Sequence, residues 1–92
     1  MTKQDFVDAV ADRAGMSKRD AGAAVDAVLD TITDTLRRRD SVTFTGFGKF
    51  STSDRAARQG VNPRTGERVQ IAATTVPKFS AGSALKSAIK GG

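Results

Sequence analysis

Apolar positions change period once along this chain, and the change separates a helical first part from a strand-rich second part. Phe6, Val10 and Ala14 recur at helical spacing, and Val7 and Ala11 widen the stripe. Thr2 followed by Asp5 has the pattern of a capping box with Asp in the Glu position, and Gly15 suits a helix stop. Ser17 and Asp20 repeat the start signal. Ala21, Ala24, Val25, Val28, Leu29, Ile32 and Leu36 then line one face. They predict a second helix from about Lys18 to about Arg39, roughly 30 Å long at 1.5 Å per residue. Arg37, Arg38 and Arg39 fall in its last turn, where cations favour the helix dipole. An antiparallel helical hairpin over residues 1–40 follows.

After Asp40-Ser41, Val42 and Phe44 alternate with Thr43 and Thr45, as in a half-buried strand. Gly46-Phe47-Gly48 breaks it tightly, with Phe47 directed into a core, and Lys49–Ser53 reads as the next strand. From Ser51 to Thr75 the only large apolar residues are Val61, Val69 and Ile71. At the centre stands Asn62-Pro63-Arg64-Thr65-Gly66. Asn starts turns, Pro presets φ and Gly tolerates positive φ, so two β-capable limbs meet at a strong turn. Limbs of about ten residues reach about 33 Å. With so few apolar residues this hairpin, over about 53–76, cannot pack against its own domain and is expected to project as a mobile arm. Val76-Pro77-Lys78-Phe79 ends the returning strand, with Pro77 suited to an edge or terminal position. A short helix carrying Ala84, Leu85, Ala88 and Ile89 closes the chain from Ser80. The sequence therefore predicts an α+β domain over residues 1–92, with strands over 41–79 and the final helix over 80–92.

Composition sharpens this picture. Ninety-two residues suffice for one domain, which at this size buries a modest share of its surface. Five Phe are the only aromatic residues, and three of them fall within Phe44–Phe50. One dense aromatic knot beside long polar stretches points to a core completed by a partner subunit. Cys and His are both absent, which excludes disulfides, thiolate metal sites and the commonest general base. No stretch approaches the roughly 18 apolar residues that span a membrane, so a soluble intracellular protein is expected. Residues 1–40 hold seven basic and eight acidic side chains, a balance of −1. Residues 41–92 hold eight basic and two acidic ones, a balance of +6. Positive charge confined to one half points to a polyanion such as nucleic acid or an anionic membrane.

The candidate chemistry is correspondingly narrow. Arg55, Arg58, Arg64, Arg68 and Lys78 face only Asp54 and Glu67 along the arm. Arginine's planar fork suits phosphate, and arginines on an extended ribbon can enter a groove. Charges on an edge also discourage aggregation, a blander role that suffices for any one of them. Pro63 has two readings: a turn former, or a rigid apolar wedge that unstacks a base step. Gly46-Phe47-Gly48 lacks the third glycine and the following helix of a dinucleotide loop. The helical Asp residues lie mostly on polar faces as solvated surface. No constellation nominates a catalytic or metal site, and neither an enzyme activity nor a cofactor is expected.

Gly46-Phe47-Gly48-Lys49-Phe50, Arg55-Ala56-Ala57-Arg58, Gly60 and Asn62-Pro63-Arg64-Thr65-Gly66 together resemble the signature of the bacterial histone-like DNA-binding proteins, the HU/IHF family, and HU above all. The resemblance covers essentially the whole chain. It implies an intertwined dimer, with helices from both subunits below, a saddle of short strands above, and two arms embracing the DNA minor groove. By the same resemblance Pro63 is the intercalating tip, and Asn62, Arg55, Arg58, Arg64 and Arg68 belong to the DNA-binding arm. Lys3, Lys78 and Lys86 contact phosphates on the body. Phe44, Phe47, Phe50 and Phe79 are dimer core. The family often carries a basic residue where this chain has Ser53, Val61 and Ser83, which implies weaker phosphate binding and a salt dependence shallower than that of a fully basic relative.

The function implied is bending of duplex DNA largely without sequence preference, with flexible, nicked or distorted duplex favoured because it deforms cheaply. Chromosome compaction in the cytoplasmic nucleoid follows, with a homodimer ahead of a heterodimer and no membrane partner. Three alternatives stand beside it: a sequence-specific IHF-type bender, an RNA binder, and a dimerisation module with an incidental basic arm.

Overall fold

The computed structural model describes residues 1–91 and has the expected α+β class. Its elements run α1 (Lys3–Ala14), α2 (Lys18–Arg37), β1 (Val42–Phe44), β2 (Gly48–Arg55), β3 (Arg58–Val61), β4 (Arg68–Ile71), β5 (Thr74–Ala81) and α3 (Ser83–Lys90). The chain divides into two compact units, Met1–Asp34 and a second beginning at Thr35.

In the first unit, the capping box forms as expected. Thr2 Oγ1 accepts from the Asp5 N–H at 3.2 Å, and the Thr2 N–H donates to Asp5 Oδ2 at 3.0 Å. Gly15 ends α1 in the left-handed conformation, φ 67°. Ser17 Oγ accepts from the Asp20 N–H at the start of α2. Val7 and Ala11 of α1 meet Ala21 of α2, all three buried, with Val10 and Val25 packed around them. Ion pairs link Lys18 to Asp8 and Lys3 to Asp26, so positions rise along one helix as they fall along the other. That is the antiparallel hairpin.

The second helix stops at Arg37 instead of Arg39, for a visible reason. The Arg39 N–H donates to the Leu36 carbonyl and the Asp40 N–H to the Thr35 carbonyl. These bonds form a Schellman end, with Arg39 at φ 59° in the position glycine usually fills. Arg39 is the one non-glycine among the described residues with positive φ. The left-handed region costs a side-chain-bearing residue about 1–2 kcal/mol.

In the second unit, β1, β2 and β5 form an antiparallel sheet with β2 in the middle, while β3 and β4 form a separate two-stranded ribbon. One register runs through both. Gly48 pairs with Ala81, Arg55 with Thr74 and Arg58 with Ile71, so each step forward on one limb matches a step back on the other. The expected arm is present but not as one continuous hairpin. Its ladder lapses at Ala56-Ala57 and at Ala72-Ala73. Alanine is a poor strand former and offers only a methyl group for cross-strand packing, so the ribbon loses support there.

The returning strand passes Phe79 and continues to Ala81, and α3 begins at Ser83 instead of Ser80. The strand is prolonged because Ser80 and Ala81 still pair with Lys49 and Gly48. Pro77 lies on β5, an edge strand of the sheet, where a missing N–H is tolerated. The loop Gly46–Gly48 then caps α3 with backbone alone: Phe47 O accepts from the Gly82 N–H and Gly46 O from the Leu85 N–H.

Phe44, Phe47 and Phe79 are each nearly half exposed, and Phe50 is half-buried. The Phe50 and Phe79 ring centroids lie 4.8 Å apart, Phe47 sits 6.0 Å from Phe79, and Phe44 meets Phe50 edge-on at 6.2 Å. The aromatic knot is thus real, but within one chain Phe47 is not driven into a core.

Candidate nucleic-acid interface

The arm tip is organised by its own backbone and short polar side chains. Asn62 Oδ1 accepts from the Arg64 N–H at 2.9 Å, and the Asn62 carbonyl accepts from the Gly66 N–H at 2.8 Å. The Asn62 N–H donates to the Glu67 carbonyl at 2.7 Å, closing the loop, and Gly66 takes φ 73°. Pro63 and Arg64 stand exposed at the apex, with Asn62 half-buried beneath them. The same five residues that read as a turn in the sequence make one here, and they present the proline outward.

Pairing decides which cations share a face, because alternate residues of a strand point the same way and paired residues point together. On the β2–β5 stem, Lys49 pairs with Ser80, Ser51 with Lys78 and Arg55 with Thr74. Lys49, Lys78 and Arg55 therefore line one face. Phe50 with Phe79, and Asp54 with Thr75, occupy the other. The stem is cationic on one side and aromatic at the base of its opposite side.

On the ribbon, Arg68 pairs with Val61, while Arg58 pairs with Ile71 on the opposite face. The arm thus carries exposed guanidinium groups on both faces and at its tip. Val61 is largely exposed, Val69 and Ile71 are each more than a third exposed, and none of the three is fully buried, so no local core holds the ribbon. The Ile71 side chain lies over Gly60, where a Cβ would come within 2.9 Å of its terminal methyl.

Lys86 is exposed on α3, and Lys3 is exposed on α1. Lys3 is already engaged: its hydrogen bond and charge contact with Asp26 raise its pKa above the ordinary lysine value. Sequence reasoning missed two residues. Lys49 reads there as an ordinary strand position after Gly48, and only its alternation with Ser51, Ser53 and Arg55 would have placed it on the cationic face. Arg39 reads as a helix-terminal cation, yet its guanidinium reaches the stem. Nη1 donates to both carboxylate oxygens of Asp54 at 3.1 and 3.2 Å, and Nη2 donates to Thr75 Oγ1 at 3.2 Å. Thr75 Oγ1 in turn donates to Asp54 Oδ1 at 2.7 Å.

Residues 1–90 match the family model described as bacterial DNA-binding protein, and the chain belongs to that family. Its relatives there include the DNA-binding protein HU of Geobacillus stearothermophilus, 52% identical over 90 residues, covering 98% of this chain and 100% of the relative. The DNA-binding protein HU of Staphylococcus aureus strain COL is 48% identical over 90 residues, with the same coverage. Among solved structures, a cocrystal of Anabaena HU with DNA superposes with a TM-score of 0.90 at 43% identity, covering 98% of each chain. HU from Thermotoga maritima gives 0.69 at 31% identity, covering 98% of this chain and all of that one. Among the described residues no helix is long and apolar enough to cross a membrane.

Proposed function

We propose that this protein is an architectural DNA-binding protein of the HU type. It binds duplex DNA largely irrespective of sequence and bends it with its arm. The observation that carries the reading is the β3–β4 ribbon: exposed, without a core of its own, arginine-bearing on both faces, and tipped by an outward proline. Such a ribbon offers phosphate ligands along its length and a wedge at its end. Arg55, Arg58, Arg64 and Arg68 with Asn62 grip the minor groove, and Lys78 and Lys86 receive the flanking phosphates. Lys3 joins them by exchanging Asp26 for phosphate. Pro63 unstacks a step at a cost of a few kcal/mol, offset by the contacts that a bent duplex allows. Nicked or distorted duplex binds more tightly because part of that cost is already met. The protein acts at the nucleoid, and we assign it no catalytic role.

Two copies act together. The half-exposed Phe44, Phe47 and Phe79, with Phe50 behind them, make an apolar patch that a second copy would cover. Sedimentation is expected to give twice the chain mass of 9.6 kDa, with Phe47→Asp shifting the population toward monomer. Binding is tested by titrating intact and nicked duplexes of unrelated sequence over a range of salt. Comparable affinities among intact sequences, tighter binding to the nicked form and a steep loss with salt support the reading. A strong preference for one intact sequence would replace it with a site-specific bender.

A further inference from the structure

We propose that Arg39 is a positioning residue for DNA bending: through Asp54 and Thr75 it latches the root of the arm and sets where the arm begins to move. The inference rests on the DNA-bending reading above.

The latch occupies a telling place. Asp54 and Thr75 face each other across the β2–β5 ladder, one pair before its last, Arg55 with Thr74. Beyond that pair come the four alanines where pairing lapses. A shallow cleft bounded by Arg39, Asp54, Ala56, Ala73 and Thr75 joins the latch directly to the lapse. Stem strands end, guanidinium clamps and unsupported backbone therefore follow one another within a few residues.

The chemistry suits a clamp across two strands. One planar guanidinium takes a carboxylate on β2 and a hydroxyl on β5, and that hydroxyl also donates to the same carboxylate. Three side chains close a ring of hydrogen bonds, which holds the two strands in register without any apolar contact. A lysine in place of Arg39 would keep the charge but lose the fork. Arg39 also neutralises Asp54, one of only two acids in residues 41–92.

The backbone argues that this placement is specific. Arg39 occupies the left-handed slot of a helix end, the conformation Gly15 supplies at the end of α1. With this left-handed φ the Arg39 side chain reaches the stem, and the latch offsets part of that strain. Both ionic partners are about two-thirds exposed, so the latch is weak and sensitive to salt. A weak clamp at the root confines motion to the alanine segment at rest, so that the arm meets DNA from a defined stem.

Amide hydrogen exchange and DNA bending, measured on full-length protein, test this together. In the free protein, Arg39→Gly is expected to speed exchange of the ladder-bonded amides within the Asp54–Thr75 and Arg55–Thr74 pairs about two- to fivefold, the range for losing an exposed ion pair. Exchange at Thr43 and Lys49 stays unchanged. Asp54→Asn has the same effect, the double variant is no faster than the faster single one, and Arg39→Lys falls between. Raising salt speeds root exchange in wild type but not in Arg39→Gly. On a dye-labelled duplex at matched occupancy, Arg39→Gly gives lower energy transfer while its salt slope of binding matches wild type. Unchanged root exchange in Arg39→Gly overturns the latch. So does a salt slope reduced by about one with root exchange unaltered, which would make Arg39 a phosphate contact. Failure of the wild-type protein to bend DNA would instead overturn the proposed function, since the exchange arm needs no DNA.

Discussion

The Phe79 ring lies against the bare backbone of Gly48. A Cβ at Gly48 would stand 2.5 Å from two ring carbons and 2.9 Å from the Ser80 carbonyl oxygen. The carbonyl cannot retreat, because Ser80 is paired with Lys49 in the ladder. Gly48→Ala is therefore expected to destabilise by about 1–3 kcal/mol, the usual cost of overpacking. Thermal unfolding should fall by several degrees, about 4–8 °C per kcal/mol for a chain of this size. An unaltered midpoint would mean that the Phe79 ring has room to move.

The first helix depends on a cap that one substitution removes. Thr2→Ala deletes the acceptor for the Asp5 N–H and is expected to cost about 1 kcal/mol. Denaturant unfolding with an unchanged slope but a lower midpoint is the expected result. Thr2→Ser, which keeps the oxygen, should lose much less.

The Lys3–Asp26 pair makes a signed prediction about pH. Asp26 favours the charged ammonium in the folded chain, so the Lys3 pKa is raised. The stabilisation is then complete below the ordinary lysine pKa and is lost as pH rises through the raised value. It is fully present near neutrality and fades only under alkaline conditions. Following the Lys3 Cε resonance against pH should show Asp26→Asn lowering the midpoint toward the ordinary lysine value.

The alanine segment can be stiffened. The shared register sets Ala57 opposite Ala72. Replacing both with valine supplies a cross-strand β-branched pair, worth about 0.2–1 kcal/mol. Nuclear spin relaxation at the Gly60 and Val69 amides should show a more ordered ribbon in the double variant. No change in order would mean that the lapse arises from twist and not from side-chain size.

Much of this was legible in the sequence, and the boundary of legibility has physical causes. Thr2 and Asp5, Gly15, and the Asn62–Gly66 turn act through bonds spanning a few residues, so local chemistry sufficed to predict them. The cationic arm was visible as composition. What escaped depends on partners distant in sequence. Arg39 finds Asp54 fifteen residues on and Thr75 thirty-six residues on, and its left-handed φ has no signature in an Arg-Arg-Arg run. The strand continues through Ser80 because Lys49 pairs with it, which no helical periodicity in Ala84–Ile89 could reveal. The alanines gave no warning, because two short β-capable limbs around a strong turn read as one hairpin until pairing is traced.

Individual cations should divide by what they touch. Arg64→Ala at the tip is expected to weaken binding similarly on unrelated duplexes and to reduce the slope of log affinity against log salt by about one. An effect confined to one sequence would make Arg64 a base reader.

Energy transfer between dyes at the two ends of a short duplex, for wild type and Pro63→Ala at matched occupancy, tests the central claim most directly. The account predicts a clear rise with wild type and a much smaller one with the variant, because the variant keeps the arginines and loses the wedge. Equal rises would reduce Pro63 to a turn residue, and a flat signal for both with binding intact would contradict bending altogether.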